Sequence, residues 1–380
     1  MISRRTILQA ASLAPLTAAV SACAVTPGSG PANRRNYTPS GLPMRRVNVS
    51  EERVIRTIAG LRPFRRSGFN VSAERRNDKV IVHNYGHGGG GITLSWGSSH
   101  LAMELASKTA YKQCAVLGCG ALGLTAARLM QDQGWQVTIY AKDLPPHTTS
   151  NVAGGQWSAT SVFDRPEVSA AFLSQYELAM QHSYRYFQNL VGPRYGVRWI
   201  SNYHILPEAL NGDTLPEQYP YLYPQRINMT RDQHPFDADH VYHYDTMLIE
   251  PAIFLPALME DFHTAGGRIV VREFHSQSEL MNLQEPVIIN STGLGAKDLF
   301  NDQNMLAIKG QLSFLLPQPE VDYIILGNNG HYMFPRSDGV LLGGSFDRDI
   351  YDTTPDETTR RRIINGHRDF FTRMDDPWSA

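Results

Sequence analysis

Cysteine is scarce, with 3 in a chain of 380 residues. Cys23 closes an N-terminal segment taken up below, which leaves Cys114 and Cys119, five positions apart on what reads as one strand and its following turn. An extended chain separates them by more than the ~7 Å between Cα atoms that a bridge tolerates, so two free, buried thiols are expected and no disulfide framework. Charge of one sign is lacking too. With 35 Lys and Arg against 36 Asp and Glu, the net charge of -1 offers no electrostatic footprint for nucleic acid, and 42% apolar residues argue against a disordered chain. The basic run Arg360-Arg361-Arg362 follows Asp356 and Glu357 and reads as a solvated helix face. No apolar run reaches the ~20 residues that a membrane span needs. His83 and His87 are spaced i,i+4, but they run into a glycine loop and no third ligand accompanies them, so no metal site is expected. There is no internal repeat.

What the chain does have begins with an address. Ser3-Arg4-Arg5-Thr6-Ile7-Leu8, followed by a short Ala-rich run to Val20-Ser21-Ala22-Cys23, resembles a twin-arginine (Tat) export signal peptide with a lipoprotein cleavage box over residues 1–23. Gln9, Ser12, Pro15 and Thr17 interrupt the run, which favours a signal over an anchor helix. Cleavage there would leave Cys23 as a lipidated N-terminus, holding the protein to a membrane of the bacterial cell envelope on the periplasmic side. Residues 24–46, rich in Pro, Gly, Ser, Thr and Asn, read as a flexible tether.

Folded structure is expected from Val47. The spacing predicts a short helix or turn, a loop at Gly60 to Pro63, a strand at Lys79 to Val82, a glycine-rich loop from Gly86 to Gly91, and a helix around Ser98 to Ser107. Gln113-Cys114-Ala115-Val116-Leu117 is a short apolar strand of the kind buried on both faces. A glycine turn follows, then an apolar-patterned helix stopping before Gly134, then the strand Gln136 to Tyr140: the first βαβ unit of a nucleotide-binding fold. Downstream, a helix at Pro251 to Ala265 precedes strands at Arg268 to Val271 and Pro286 to Asn290. Strand-like segments at Gln311 to Leu315, Tyr323 to Leu326, Tyr332 to Phe334 and Val340 to Leu342 suggest an antiparallel sheet.

Gly118-x-Gly120-x-x-Gly123 supplies glycine for a tight turn, for backbone approach to a pyrophosphate and for close helix–strand packing, with the N–H groups of the helix start aimed at the phosphates. At this step NAD and FAD fit equally. Asp143, just past the second strand, is the candidate for the adenosine ribose hydroxyls, with a surface turn acid as the ordinary alternative.

Beyond that turn the motifs become specific. Tyr140-Ala141-Lys142-Asp143-Leu144-Pro145, Thr148-Thr149-Ser150 and Ala153-Gly154-Gly155-Gln156-Trp157 together resemble the D-amino-acid oxidase family, above all its fungal-type members. Val287 to Gly293, including Thr292, resembles the family's later flavin-contacting strand, and His331-Tyr332-Met333-Phe334-Pro335-Arg336 running into Gly343-Gly344 resembles its active-site strand. Gly60-Leu61-Arg62-Pro63 is similar to the loop that carries the family's substrate-carboxylate arginine. His83-Asn84-Tyr85-Gly86 through Gly88, Gly89, Gly90, Thr93 and Trp96 is similar to the loop and helix at the flavin's pyrimidine end. In the family these two pieces follow the dinucleotide loop near the C-terminus, whereas here they precede it. Two arrangements are open: a circular permutation, or a segment 47–107 that completes a neighbouring subunit's site. The chain departs from the family at Asn328, four positions before Tyr332, where many members place a second aromatic, and across Gly89 to Thr93.

The resemblance implies an α/β fold in which a Rossmann-like FAD domain interleaves with an α+β substrate domain built on an antiparallel sheet. Residues 47–155 and 251–309 fall to the first, and 156–250 and 310–380, with a closing helix, to the second. FAD is the implied cofactor, held by Gly118, Gly120, Gly123, Asp143, Thr148, Thr149, Gly154, Gly155, Gln156, Trp157, Gly88, Gly89, Gly90, Thr93, Thr292 and Gly293. Arg62 and Tyr332 are implied to hold an amino-acid carboxylate, a task suited to a planar guanidinium; a surface ion pair and a packed sheet tyrosine are their ordinary alternatives. The implied reaction is oxidative deamination of a D-amino acid, with molecular oxygen or another acceptor taking the electrons. A glycine or N-methylglycine oxidase, a flavin-dependent amino-acid dehydrogenase, and a binding protein without turnover are the competing readings.

Overall fold

The structure, a computed structural model, describes residues 44–209, 214–327 and 329–375. The expected export signal with Cys23, the expected tether up to residue 43, Asn328 and the residues from 376 onward lie outside the described residues.

The N-terminal part runs β1 (Val54–Arg65), β2 (Asn70–Arg76), β3 (Lys79–Tyr85) and α1 (Ser95–Ala106). The dinucleotide unit is β4 (Gln113–Leu117), α2 (Ala121–Asp132) and β5 (Gln136–Ala141), and Gly134 at φ +75° ends α2 as its composition suggests. Then come α3 (Ala170–Asn189), β6 (Val197–Leu206), α4 (Leu215–Gln218), β7 (Ile227–Met229), β8 (His240–Ile249), α5 (Pro251–Thr264), β9 (Arg268–Val271), α6 (Gln277–Met281), β10 (Val287–Asn290) and α7 (Gly295–Leu299). The chain continues through β11 (Met305–Leu315), β12 (Tyr323–Leu326), β13 (Tyr332–Arg336), β14 (Gly339–Gly343), β15 (Asp347–Arg348) and α8 (Glu357–Thr372).

Among the described residues the strands form two sheets. One has the order β2-β3-β10-β4-β5-β9, parallel throughout except for the antiparallel edge strand β2. It is covered on both faces, as a parallel sheet must be. Val82, Val116 and Ile289 point into a core shared with α1, α2, α3 and α5, while Ile81, Leu117 and Ile288 pack with Leu280, Leu283 and Leu299 on the other side. The second sheet runs β1-β11-β14-β13-β12-β6-β8-β7, with β15 beside β11. Its pairings are antiparallel apart from β12 with β6. Helix α8 closes one face through Ile363, Ile364 and Phe371 against Tyr323, Met333 and Leu342.

Three expectations change. Gly60 to Pro63 is strand, not loop: it lies within β1 at the edge of its sheet, where Pro63 forfeits no inner ladder bond. Helix α1 starts at Ser95, before the expected Ser98. Residues 170–249, to which the sequence reading assigns no element, hold α3, β6 and β8. The two strands are apolar on both sides in places, so no two-residue alternation marks them. Cys114 and Cys119 are free and buried as expected, and burial pushes the Cys119 thiol up to about 12.

Candidate functional site

Five parallel strands end on one cavity of about 640 Å³. The carboxyl end of β3 supplies Asn84, Tyr85, His87 and Gly88; β10 supplies Ser291 to Gly295; β4 supplies Leu117 to Gly120; β5 supplies Tyr140 to Asp143; and β9 supplies Arg272 to Phe274. Ligands of open α/β sheets bind outside these strand ends, where successive loops diverge. The N-terminal segment, which precedes the dinucleotide turn in the chain, therefore meets it in space.

At the turn itself, Gly118 has φ +102°, and a Cβ there would stand 2.6 Å from the Ser291 carbonyl oxygen. A Cβ on Gly123 would stand 2.0 Å from the carbonyl oxygen of Gly118, so α2 can sit this close to β4 only with glycine. Gly123 thus acts from behind the turn, through packing, while Gly118 and Gly120 line the cavity. Ser150 steadies the helix start by accepting the Ala121 N–H at 3.0 Å. Asp143, Thr148 and Thr149 line the same end, together with His147.

The other sheet closes the cavity with the face opposite α8. Arg62 on β1 and Tyr332 on β13 meet there, Arg62 Nη2 donating to the Tyr332 hydroxyl at 3.2 Å. Small residues make the room: a Cβ on Gly310 would lie 2.4 Å from Arg62 Nη1, and one on Gly343 would lie 2.1 Å from the Tyr332 ring. Nη1 of Arg62 is buried and has no protein partner among the described residues. Because the tyrosine oxygen accepts from Arg62, its own O–H proton stays free to donate. Two donors from two strands thus converge on one point of the wall, a geometry suited to a carboxylate.

Three residues that line the wall also carry buried polar atoms with no hydrogen-bond partner among the described residues: Ser291 Oγ, Asn84 Oδ1 and both ring nitrogens of His87. The His87 ring stacks on Phe69 at 4.7 Å, and its burial pushes it down to about 3, so it is a neutral imidazole. Tyr85 donates to Asp302 at 2.8 Å, and Asp302 also takes Arg65 Nε at 2.8 Å. Burial pushes the Tyr85 hydroxyl up to about 12. A glycine cradle at a helix start, five strand ends and a wall of unpartnered polar groups fit a large dinucleotide carrying many hydrogen-bonding atoms.

Not every expected residue reaches the cavity. Gly88, Gly89, Gly154, Thr292 and Gly293 line it. Gly90 faces Val162, and its neighbours Gly91 and Ile92 line the cavity instead. Thr93 is buried with its hydroxyl donating to Ser158 O at 3.0 Å and accepting the Ser158 N–H at 3.0 Å, so it ties down the chain after Gln156. Gln156 spends its amide on Asn202 at 2.8 Å, and Trp157, inside the large core, is held to β8 by its N–H donating to Met247 O and its carbonyl accepting from the Thr246 hydroxyl, both at 2.7 Å. Gly155, at φ +95°, is pressed against the Ile249 carbonyl. These three fix the wall from the rear. The sequence reading missed Arg272, Glu273 and Phe274, because only the order of the sheet brings the end of β9 beside β5.

The profile of the DAO family, described as FAD dependent oxidoreductase, matches residues 113–379. A D-amino acid oxidase of Dugesia ryukyuensis is 26% identical over 267 residues, covering 66% of this chain and 75% of that protein. A D-amino-acid oxidase of Rubrobacter xylanophilus is 26% identical over 257 residues, 66% of this chain and 74% of that protein. The crystal structure of iminodiacetate oxidase from Chelativorans sp. BNC1 superposes with a TM-score of 0.51 at 13% identity, over 68% of this chain and 79% of that one, which is a likeness of fold.

Proposed function

We propose, because the chain belongs to the DAO family of FAD-dependent oxidoreductases, that this enzyme oxidises a D-amino acid to an imino acid, which water hydrolyses to a 2-oxo acid and ammonia, while molecular oxygen takes the two electrons and two protons and leaves as hydrogen peroxide. FAD is its cofactor. The observation that carries the reading is Arg62 Nη1, buried without a protein partner beside Tyr332 in the cavity that also holds the Gly118 turn. Gly118, Gly120 and the N-terminus of α2 would hold the pyrophosphate, Asp143 the ribose, and Gly154, Gly88, Gly89 and Thr292 the flavin end. FAD bound there would supply the two-electron redox chemistry. The protein's own part is orientation: Arg62 takes the carboxylate as a fork, the Tyr332 hydroxyl adds a donor, and the substrate is held in one pose. Anaerobic titration of the yellow protein with D-alanine and L-alanine tests this. Bleaching of the visible flavin band by the D-enantiomer alone is expected; bleaching by L-alanine would overturn it, and bleaching by neither would point to another amine or a lost activity.

The reading extends to a circular permutation in which residues 47–107 are the displaced C-terminal portion. Its support is that the family profile begins only at residue 113, while β1 and β3 pair with β11 and β10 and bring Arg62 and Gly88 into the same chain's cavity. A chain rotated to start at Gln113, with residues 47–107 joined after the C-terminus, is expected to fold and bind FAD within about threefold of the parent, since near termini tolerate such cuts. An unfolded or flavin-free rotated chain would count against the permutation.

A further inference from the structure

Arg336 is buried at 4% exposure, yet the proposed reaction leaves it unused. It lies on β13 four residues beyond Tyr332. Its Nε and Nη2 grip both oxygens of Asp338 at 2.8 and 2.7 Å, and its remaining nitrogen, Nη1, donates to the Ala153 carbonyl at 2.8 Å. Asp338 is itself tied to Arg56 at 2.6 Å, which fixes the fork from the outer side. Burying a guanidinium is costly and is offset only when every donor is well directed. Here the direction is toward Ala153, whose neighbour Gly154 lines the cavity and sits so close to Phe334 that a Cβ would fall 2.4 Å from its ring. On the far side of Gly154, Gly155 accepts the Ile249 N–H at 2.7 Å. Residues 153–155 are therefore pinned at both ends, to β8 by backbone and to β13 by Arg336.

We infer that Arg336 is a positioning residue that sets the Ala153–Gly154 wall at the height the flavin requires. One strand then carries both the Tyr332 contact to the substrate and the clamp on the cofactor wall, and β13 fixes the spacing between the two. The inference rests on the flavin lying in this cavity. Lysine cannot reproduce the two-point fork while still reaching a third acceptor.

The test uses the full-length holoenzyme, reading the dissociation constant of FAD and the visible spectrum of the bound flavin in Arg336→Lys and Asp338→Asn beside the parent. Arg336→Lys is expected to weaken FAD about tenfold and to shift the flavin band. Asp338→Asn, which loosens the fork without touching the cavity, should shift both in the same direction by about threefold in affinity. If Arg336→Lys fails to fold, Asp338→Asn decides alone. Variants that lose thermal stability but keep the parent's FAD affinity and spectrum would overturn the inference and leave Arg336 a support of the fold only. A parent protein that binds no FAD would remove the premise, and with it both the cavity assignment and this role.

Discussion

Arg62→Ala is expected to lower kcat/KM for the D-amino acid by roughly 10²–10⁴, about 3–5 kcal/mol, because it deletes a half-buried cation against a charged substrate group. The guanidinium is seated over Gly310, one arm on the Tyr332 hydroxyl and the other without a protein partner, so little else on the wall can replace it. Loss should appear in both KM and kcat, since the carboxylate contact anchors the substrate and also orients it. Arg62→Lys keeps the charge and loses the fork, and should fall between the two. Steady-state kinetics on flavin-replete protein decide the matter, with flavin content confirmed unchanged. Full catalytic efficiency in Arg62→Ala would sink the carboxylate role.

Gly123→Ala is expected to be nearly as damaging by a different route. The added Cβ meets the Gly118 carbonyl oxygen at 2.0 Å and its carbon at 2.8 Å, and backbone cannot swing aside as a flexible side chain can. Relief requires α2 to move off the turn, at about 3 kcal/mol, the upper end of what overpacking a core costs. The displaced helix start carries its N–H groups away from the phosphates, so FAD affinity should drop at least about tenfold and the protein should purify depleted of flavin. Absorbance at the flavin band against protein concentration, with a thermal melt beside it, reads both effects. A stable variant with full flavin would mean that the close packing is not what shapes the turn.

How far the sequence reveals this site depends on how local each part is. The β4–turn–α2 unit is legible because strand, glycine turn and cap are consecutive, and each residue reports its own backbone requirement. The β1 segment misleads, since Gly60 and Pro63 read as loop punctuation. In fact Gly60 is there for Val152, 2.7 Å from where a Cβ would stand, and an edge strand tolerates the proline. Motif likeness locates Gln156, Trp157 and Thr93 near the cavity wall without telling front from back, which hydrogen bonding settles only in three dimensions. The clamp from Arg336 to Ala153 spans 183 residues and leaves no periodic trace. Strands buried on both faces, such as β8, lose the alternation that identifies half-exposed ones.

The placement of β1 and β3 also governs the order of events at birth. Arg62 waits for Tyr332, 270 residues later, and His83 for Asn290, 207 residues later. At the usual pace of synthesis those 207 residues take roughly 10–40 s to appear. Throughout that interval β3, buried along its whole length in the finished protein, has only its hairpin partner β2 and keeps its other edge open. An unpaired apolar edge is a template for misassociation. Neither sheet can close before β10 and β11 have emerged, so folding is completed late in translation or after it, and the nascent chain is one that a holding chaperone has reason to shield.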